Sequence, residues 1–265
     1  MLRIAHIGDI VGSPGRKAFA RTISRLRDGG KVDVVVVNAE NAAGGRGLTP
    51  ALAEEIFSAG ADVITLGDHT WDQKTLIPYL PSEPRILRPA NFPPDAPGKG
   101  YVRIETPKGP VAVLCVIGRV FMPAQDCPFR TADHILKTER PCPVIVAEIH
   151  AEATSEKIAF GRYLDGRVTS VAGTHTHVQT SDEIILPRGT AYITDLGMTG
   201  PKDSVLGREV TSIVKRFIDG LPGKAEVATD MVALEGIILQ IDEKNGRVRK
   251  ITRMREVLDA EGTPK

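Results

Sequence analysis

Short apolar runs rich in β-branched residues alternate along the chain with segments whose apolar positions recur at helical spacing. The runs stand at 2–7, 32–37 (Val-Asp-Val-Val-Val-Val), 62–66, 111–117, 143–149 and 168–172, and their nearly unbroken apolar character suits strands covered on both faces. Between them the spacing predicts helices over Arg16–Arg27, Pro50–Ala59, Thr131–Glu139, Ser155–Leu164 and Gly207–Ile218. At the second of these Thr49 can cap and Pro50 takes the first helical position, where its missing N–H costs nothing. After residue 183 the pattern becomes hairpin-like, with strands predicted at 183–186, 190–193, 230–241 and 247–253 and a turn at Asn245-Gly246. The proline- and glycine-rich stretch 81–100 reads as a surface excursion within one domain. The alternation predicts an α/β fold.

Composition narrows the function classes. With 265 residues, 42% of them hydrophobic, the chain can bury a large core, and a single domain over 1–265 is expected. Lys and Arg number 34 against 33 Asp and Glu, a net charge of +1, which argues against a dedicated duplex nucleic-acid binder and gives no indication of an RNA partner. Cys115, Cys127 and Cys142 are odd in number and lack C-x-x-C spacing, as reduced thiols do. No signal-peptide core and no run of about 20 apolar residues is present, so a cytoplasmic protein without a membrane span is expected.

The chemistry stands at the ends of the apolar runs. The first leads into Gly8-Asp9, the second into Asn38-Ala39-Glu40-Asn41, the third into Gly67-Asp68-His69, the fifth ends on Glu148-Ile149-His150, and the sixth leads into Gly173-Thr174-His175-Thr176-His177. In open α/β sheets ligands bind at the carboxyl ends of strands, so these ends can converge on one site. Carboxylates, an amide and several imidazoles together exceed the four ligands of one zinc ion and suit two metal ions sharing a carboxylate. His6, inside a strand, and His134, inside a predicted helix, are read as structural. Gly67 and Gly173 are read as sites of close backbone approach at the metals.

The order Gly-Asp, acidic-Asn pair, Gly-x-His, lone His and Gly-x-His-x-His resembles the calcineurin-like metallophosphoesterases. Gly8-Asp9-Ile10-Val11-Gly12-Ser13-Pro14-Gly15-Arg16, Asn38-Ala39-Glu40-Asn41-Ala42-Ala43-Gly44-Gly45, His69-Thr70-Trp71-Asp72, His150-Ala151-Glu152-Ala153-Thr154-Ser155-Glu156-Lys157 and Gly173-Thr174-His175-Thr176-His177-Val178 resemble the bacterial YmdB branch, and the likeness continues through Thr194–Gly200. The resemblance implies a four-layer α-β-β-α sandwich with two mixed central sheets, two divalent or trivalent metal ions (Fe or Mn, with Zn an alternative), and hydrolysis of cyclic nucleotides, 2′,3′-cyclic monophosphates foremost. Carried over by position, Asp9, Glu40, Asn41 and His177 would hold one metal and Glu40, Asp68, His150 and His175 the other. A hydroxide between them would be the nucleophile, and His69 would face the leaving group. Assembly into homo-oligomers is the family expectation.

Two departures stand out. Asp68 occupies a position where the wider superfamily carries Asn, which adds one negative charge to the site and is expected to lower its Lewis acidity and raise the working pH. The usual Asp-x-His is Asp9-Ile10-Val11 here, with Asn41 as the substitute ligand. Asp72 is a candidate carboxylate to support a protonated His69. Gly44-Gly45-Arg46-Gly47 can form a phosphate-binding nest or a plain turn. Arg119–Met122 and Phe129-Arg130 can line a pocket, form an oligomer contact or pack in the interior. A phosphomonoesterase or nuclease with the same metals, and a weakly active nucleotide-binding regulator, are the competing readings. A dinucleotide-binding dehydrogenase is disfavoured because no Gly-x-Gly-x-x-Gly follows the first strand.

Overall fold

The computed structural model describes residues 1–258; of the domain expected over 1–265, residues 259–265 lie outside the described part. In chain order the elements are β1 (Leu2–Ile7), β2 (Asp9–Ile10), α1 (Gly12–Asp28), β3 (Val34–Asn38), α2 (Pro50–Ser58), β4 (Val63–Thr65), β5 (Ile86–Leu87), β6 (Tyr101–Thr106) and β7 (Gly109–Ile117). Then follow α3 (Pro128–Thr138), β8 (Val144–His150), α4 (Thr154–Leu164), β9 (Ser170–Thr174), β10 (Ile184–Ile185), β11 (Ala191–Ile193), β12 (Met198–Pro201), α5 (Val210–Asp219), β13 (Val232–Ile241) and β14 (Val248–Val257).

Two mixed sheets result. One has eight strands in the order β2-β12-β13-β1-β3-β4-β5, with β14 also paired to β13; the other has six, in the order β10-β11-β9-β8-β7-β6. Three hydrophobic clusters separate four layers. Phe19, Ile23 and Ile56 of α1 and α2 pack on Ala5, Ile7, Val35 and Val37 of the first sheet. Leu2, Ile4, Val34 and Val36 meet Val113, Cys115, Val144 and Val146 between the sheets. Leu114, Val116 and Ile149 pack under Phe160 and Leu164 of α4. Each fully buried side chain of this size contributes about 1.5–3 kcal/mol. The sandwich expected from the resemblance is the one observed.

Most predicted elements stand within a few residues of their expected bounds, and Thr49 caps α2 by accepting from the Leu52 N–H. Four strands were not predicted: β2, β5, β6 and β12. The excursion 81–100 is partly built into the sheet, because β5 pairs parallel with β4. Beyond β5 the buried Arg88 donates to the carbonyls of Pro89, Ala96 and Pro97, ordering a segment in which proline removes backbone donors. The helix expected from Gly207 begins at Val210 instead, since Gly207 has φ +89° and Glu209 accepts from the Thr211 and Ser212 N–H groups as the cap. No residue of α5 is buried.

Candidate active site

Side chains alternate faces along a strand, and this period explains the site. On the face between the sheets, Leu2 and Ile4 are followed by His6, Val34 and Val36 by Asn38, Val63 by Thr65, Val144 and Val146 by Glu148 and His150, and Ala172 by Thr174. The same face that builds the inter-sheet core therefore turns polar at the carboxyl ends of five neighbouring strands. The loops that leave those ends carry the remaining site residues.

All eight site residues expected from the sequence come together. Ligand atoms of Glu40, Asp68, His150 and His175 lie within 4.8 Å of one another. His150 Nε2 stands 2.9 Å from Asp68 Oδ1 and 3.1 Å from Glu40 Oε1, and His175 Nδ1 stands 3.3 Å from Asp68 Oδ1. On the other side of Glu40, Asn41 Nδ2 is 3.4 Å from Glu40 Oε1 and 3.3 Å from His177 Nε2, and His177 Nε2 is 3.7 Å from Asp9 Oδ1. Glu40 thus stands between an Asp68–His150–His175 group and an Asn41–His177–Asp9 group.

The donor set fits cations. Asp9 is fully buried, and its Oδ1 has no hydrogen-bond partner, an arrangement that is costly for a carboxylate unless a positive charge stands beside it. Burial opposes its ionisation, but the His177 and His150 imidazoles hold its carboxyl at about 2. Burial likewise opposes the charged form of His150, and Glu40 and Asp68 overturn that, raising its pKa well above the ordinary histidine value. Asp68, opposed by burial and favoured by His150 and His175, is held well below the usual carboxylate range. Carboxylate and imidazole donors of this kind suit Fe, Mn or Zn.

His69 is a quarter exposed. Its backbone N–H donates to Glu40 Oε2 at 3.0 Å, its ring Nδ1 lies 2.9 Å from Asn41 Oδ1, and its ring Nε2 lies 3.4 Å from Asp68 Oδ2. Asp72 does not serve it: that carboxylate pairs with Arg46. Two carboxylates stand beside the ring instead: Asp68, the residue that departs from the superfamily pattern, and Glu40, whose Oε1 is 3.6 Å from Nδ1.

Two buried polar networks hold these groups, and neither was assigned from the sequence. Glu148, fully buried, lies 2.9 Å from His6 Nε2 and accepts from Thr65 Oγ1 at 2.7 Å, Asn38 Nδ2 at 2.9 Å and Thr174 Oγ1 at 3.1 Å. Because Thr174 gives its proton to Glu148, its oxygen is left to accept from His150 Nδ1, 2.9 Å away, which keeps His150 Nε2 turned to the site. This is the structural role of His6; His134 is exposed on α3. In the second network the buried Lys157 donates to Asp195 and Thr176. His175 and His177 have φ of +94° and +62°, unusual values for residues other than glycine, and the Lys157–Asp195–Thr176 unit pins the loop in that form.

Both glycines allow close approach, Gly67 to the His150 ring and Gly173 to the backbone at Thr194. A Cβ on Gly67 would fall 2.2 Å from His150 Cδ2, and one on Gly173 would fall 1.9 Å from the Thr194 carbonyl oxygen. The turn at Gly44–Gly47 is not an open nest, because the N–H groups of Gly44 and Arg46 are taken by the carbonyls of Ala42 and Ala43. Phe129 packs against Phe160 and Tyr163, whereas Phe121 is 89% exposed. The Arg119 and Val120 N–H groups are held by Glu156.

Comparison with known proteins agrees with this geometry. A 2′,3′-cyclic-nucleotide 2′-phosphodiesterase of Bacillus subtilis strain 168 is 45% identical over 96% of both chains. The crystal structure of a novel phosphatase from Mycoplasma pneumoniae superposes with a TM-score of 0.91 at 33% identity, covering 97% of this chain and 93% of that one. A putative 5′-nucleotidase of Staphylococcus aureus, 14% identical, shares the fold alone, with a TM-score of 0.59 over 95% of this chain and 54% of that one. The family described as YmdB-like protein matches residues 5–254, and the chain belongs to that family.

Proposed function

We propose that the chain is a dinuclear-metal phosphodiesterase that hydrolyses 2′,3′-cyclic nucleotides, with Asp9, Glu40, Asn41 and His177 holding one metal ion and Glu40, Asp68, His150 and His175 the other. The observation that carries this reading is the position of Glu40, whose Oε1 is 3.1 Å from His150 and 3.4 Å from Asn41, within reach of both groups. The activity named for the Bacillus relative supports the substrate class. Bound cations in such a site supply Lewis acidity toward phosphate oxygens and make hydroxide available at neutral pH. Fe or Mn suits the donors, and Zn is the alternative.

The chain's own residues complete the reaction. His69, partly exposed and flanked by Asp68 and Asn41, delivers a proton from its imidazolium to the departing ribose oxygen. Asp68 stands beside the ring, its Oδ2 3.4 Å from Nε2. Buried Glu148 and Thr174 orient His150 from behind. The protein works in the cytoplasm, where Cys115, Cys127 and Cys142 stay unpaired, as one domain and as a homo-oligomer. Among the described residues no helix is long and apolar enough to cross a membrane.

The test is hydrolysis of 2′,3′-cyclic AMP by metal-analysed protein, beside a Glu40→Gln control and 3′,5′-cyclic AMP. About two metals per chain and cleavage of the 2′,3′ substrate by wild type alone are expected. Metal without cleavage of either diester would overturn the reading.

A further inference from the structure

A cavity of about 160 Å³ opens on the candidate metal site, with Glu40, Asn41, His69, His175 and His177 in its wall together with Leu206 and Arg208. Pockets that enclose whole small-molecule ligands run to about 300–1,000 Å³, so this one is too small to enclose a whole nucleotide. Arg208 was expected in the first turn of a helix, but it precedes α5, bridged to Val205 and Val227.

Its guanidinium is part-buried and hydrogen-bonded only to backbone carbonyls, with Arg46 and Glu226 as its charged neighbours. Nη1 donates to the Gly44 and Ala225 carbonyls at 3.1 and 3.2 Å, and Nη2 donates to the Gly45 carbonyl at 2.5 Å. Arginine has five N–H groups, so one on Nε and one on Nη2 are left over. Nε and Nη2 share one edge of the fork, the edge through which a guanidinium can bind a phosphate by two parallel hydrogen bonds. The guanidinium rests on Gly45, where a Cβ would come within 2.6 Å of Arg208 Cζ. Nearby, Arg46 is engaged with Asp72, so Arg208 is the arginine in the cavity wall with donors to spare. Leu206, half exposed with φ +51°, stands at the same wall as an apolar surface.

We propose that Arg208 is a phosphate-binding residue of this site, taking the non-bridging oxygens of the substrate through Nε and Nη2, and that Leu206 packs against the nucleoside at the rim. The inference rests on the phosphodiesterase reading and adds to it a residue outside the metal-ligand set.

The experiment measures inorganic phosphate affinity by calorimetry, metal content, and KM for 2′,3′-cyclic AMP in wild type, Arg208→Gln, Arg208→Lys and Leu206→Ser. Arg208→Gln is expected to weaken phosphate and raise KM by about tenfold to a hundredfold, the range of a charge-assisted hydrogen-bond pair, with metal content unchanged. Arg208→Lys, which keeps the charge but not the paired donors, falls between. Leu206→Ser raises KM for the nucleotide and leaves phosphate affinity alone. Phosphate affinity in Arg208→Gln within about twofold of wild type, or lost only together with metal, overturns the proposal. If Arg208→Gln does not fold, wild-type phosphate affinity in Arg208→Lys overturns it. Should wild type bind phosphate but cleave no cyclic nucleotide, the phosphodiesterase reading fails, and the phosphate comparison still decides Arg208.

Discussion

Lys157 Nζ stands 2.7 Å from Asp195 Oδ2, with the two side chains 1% and 0% exposed. Asp195 Oδ2 also accepts from Thr176 Oγ1 at 2.6 Å, so this ion pair grips the residue between His175 and His177. The link runs from a motif on α4 to the geometry of the loop that carries these two histidines.

Lys157→Met removes one partner and strands a buried carboxylate. Loss of about 3–5 kcal/mol in urea unfolding is expected. Pairing it with Asp195→Leu should recover part of that loss. Burial raises the Asp195 carboxyl above its ordinary value even with lysine present. A carboxyl raised in the folded state costs stability as pH rises through its folded pKa, so the deficit of Lys157→Met should shrink as pH falls. A deficit that is the same at pH 4 and pH 7 would contradict this account.

Glu148 touches no predicted ligand directly, yet through Thr174 it sets which nitrogen of His150 faces the site. Glu148→Gln places an amide donor where His6, Asn38, Thr65 and Thr174 need an acceptor. Removing such a support costs about 10–100-fold in metal affinity, which chelator competition would read. Unchanged metal affinity in a folded Glu148→Gln protein would show that Thr174 alone orients the ring.

His69→Asn retains a polar side chain beside Asn41 and Asp68 but cannot carry a proton to a leaving group. Turnover of 2′,3′-cyclic AMP should fall by about 10²–10⁴, while a substrate with a p-nitrophenolate leaving group, which needs no proton, should be affected far less. Equal losses on both substrates would assign His69 to binding.

The site was legible in the sequence because its donors stand at, or within a few residues of, the ends of buried strands, where a charged or imidazole side chain after a run of valines has few structural uses. Glu148 was visible at such an end, but pattern alone could not tell a ligand from a support: that distinction depends on which strand of the opposite sheet it meets. Arg208 was hidden more completely. A helical period runs on from it into α5, and only the left-handed Gly207 and the Glu209 cap move the helix start past it. The strands β5 and β12 are short, β12 containing Gly200 and Pro201 and β5 lying between Pro84 and Pro89; they form because a neighbouring strand offers its edge, which no local propensity records. α5, with no buried residue, was predicted from a pattern that the described layers do not use.

Asp68 joins two functions that the sequence treated apart. Its Oδ1 meets His150 at 2.9 Å and its Oδ2 meets His69 at 3.4 Å, so the carboxylate that would lower the charge of the proposed metal site also stands beside the proposed proton donor. Asp68→Asn therefore tests both roles. With one negative charge fewer at the site, bound cations would polarise water more strongly, so the acidic limb of the pH–rate profile should move to lower pH and metal should be held more weakly. Loss of the carboxylate beside His69 should also lower turnover of 2′,3′-cyclic AMP more than that of a substrate with a p-nitrophenolate leaving group, which needs no proton. Equal losses on both substrates would mean that Asp68 serves the metals alone, and a fixed acidic limb would mean that its charge does not govern the nucleophile.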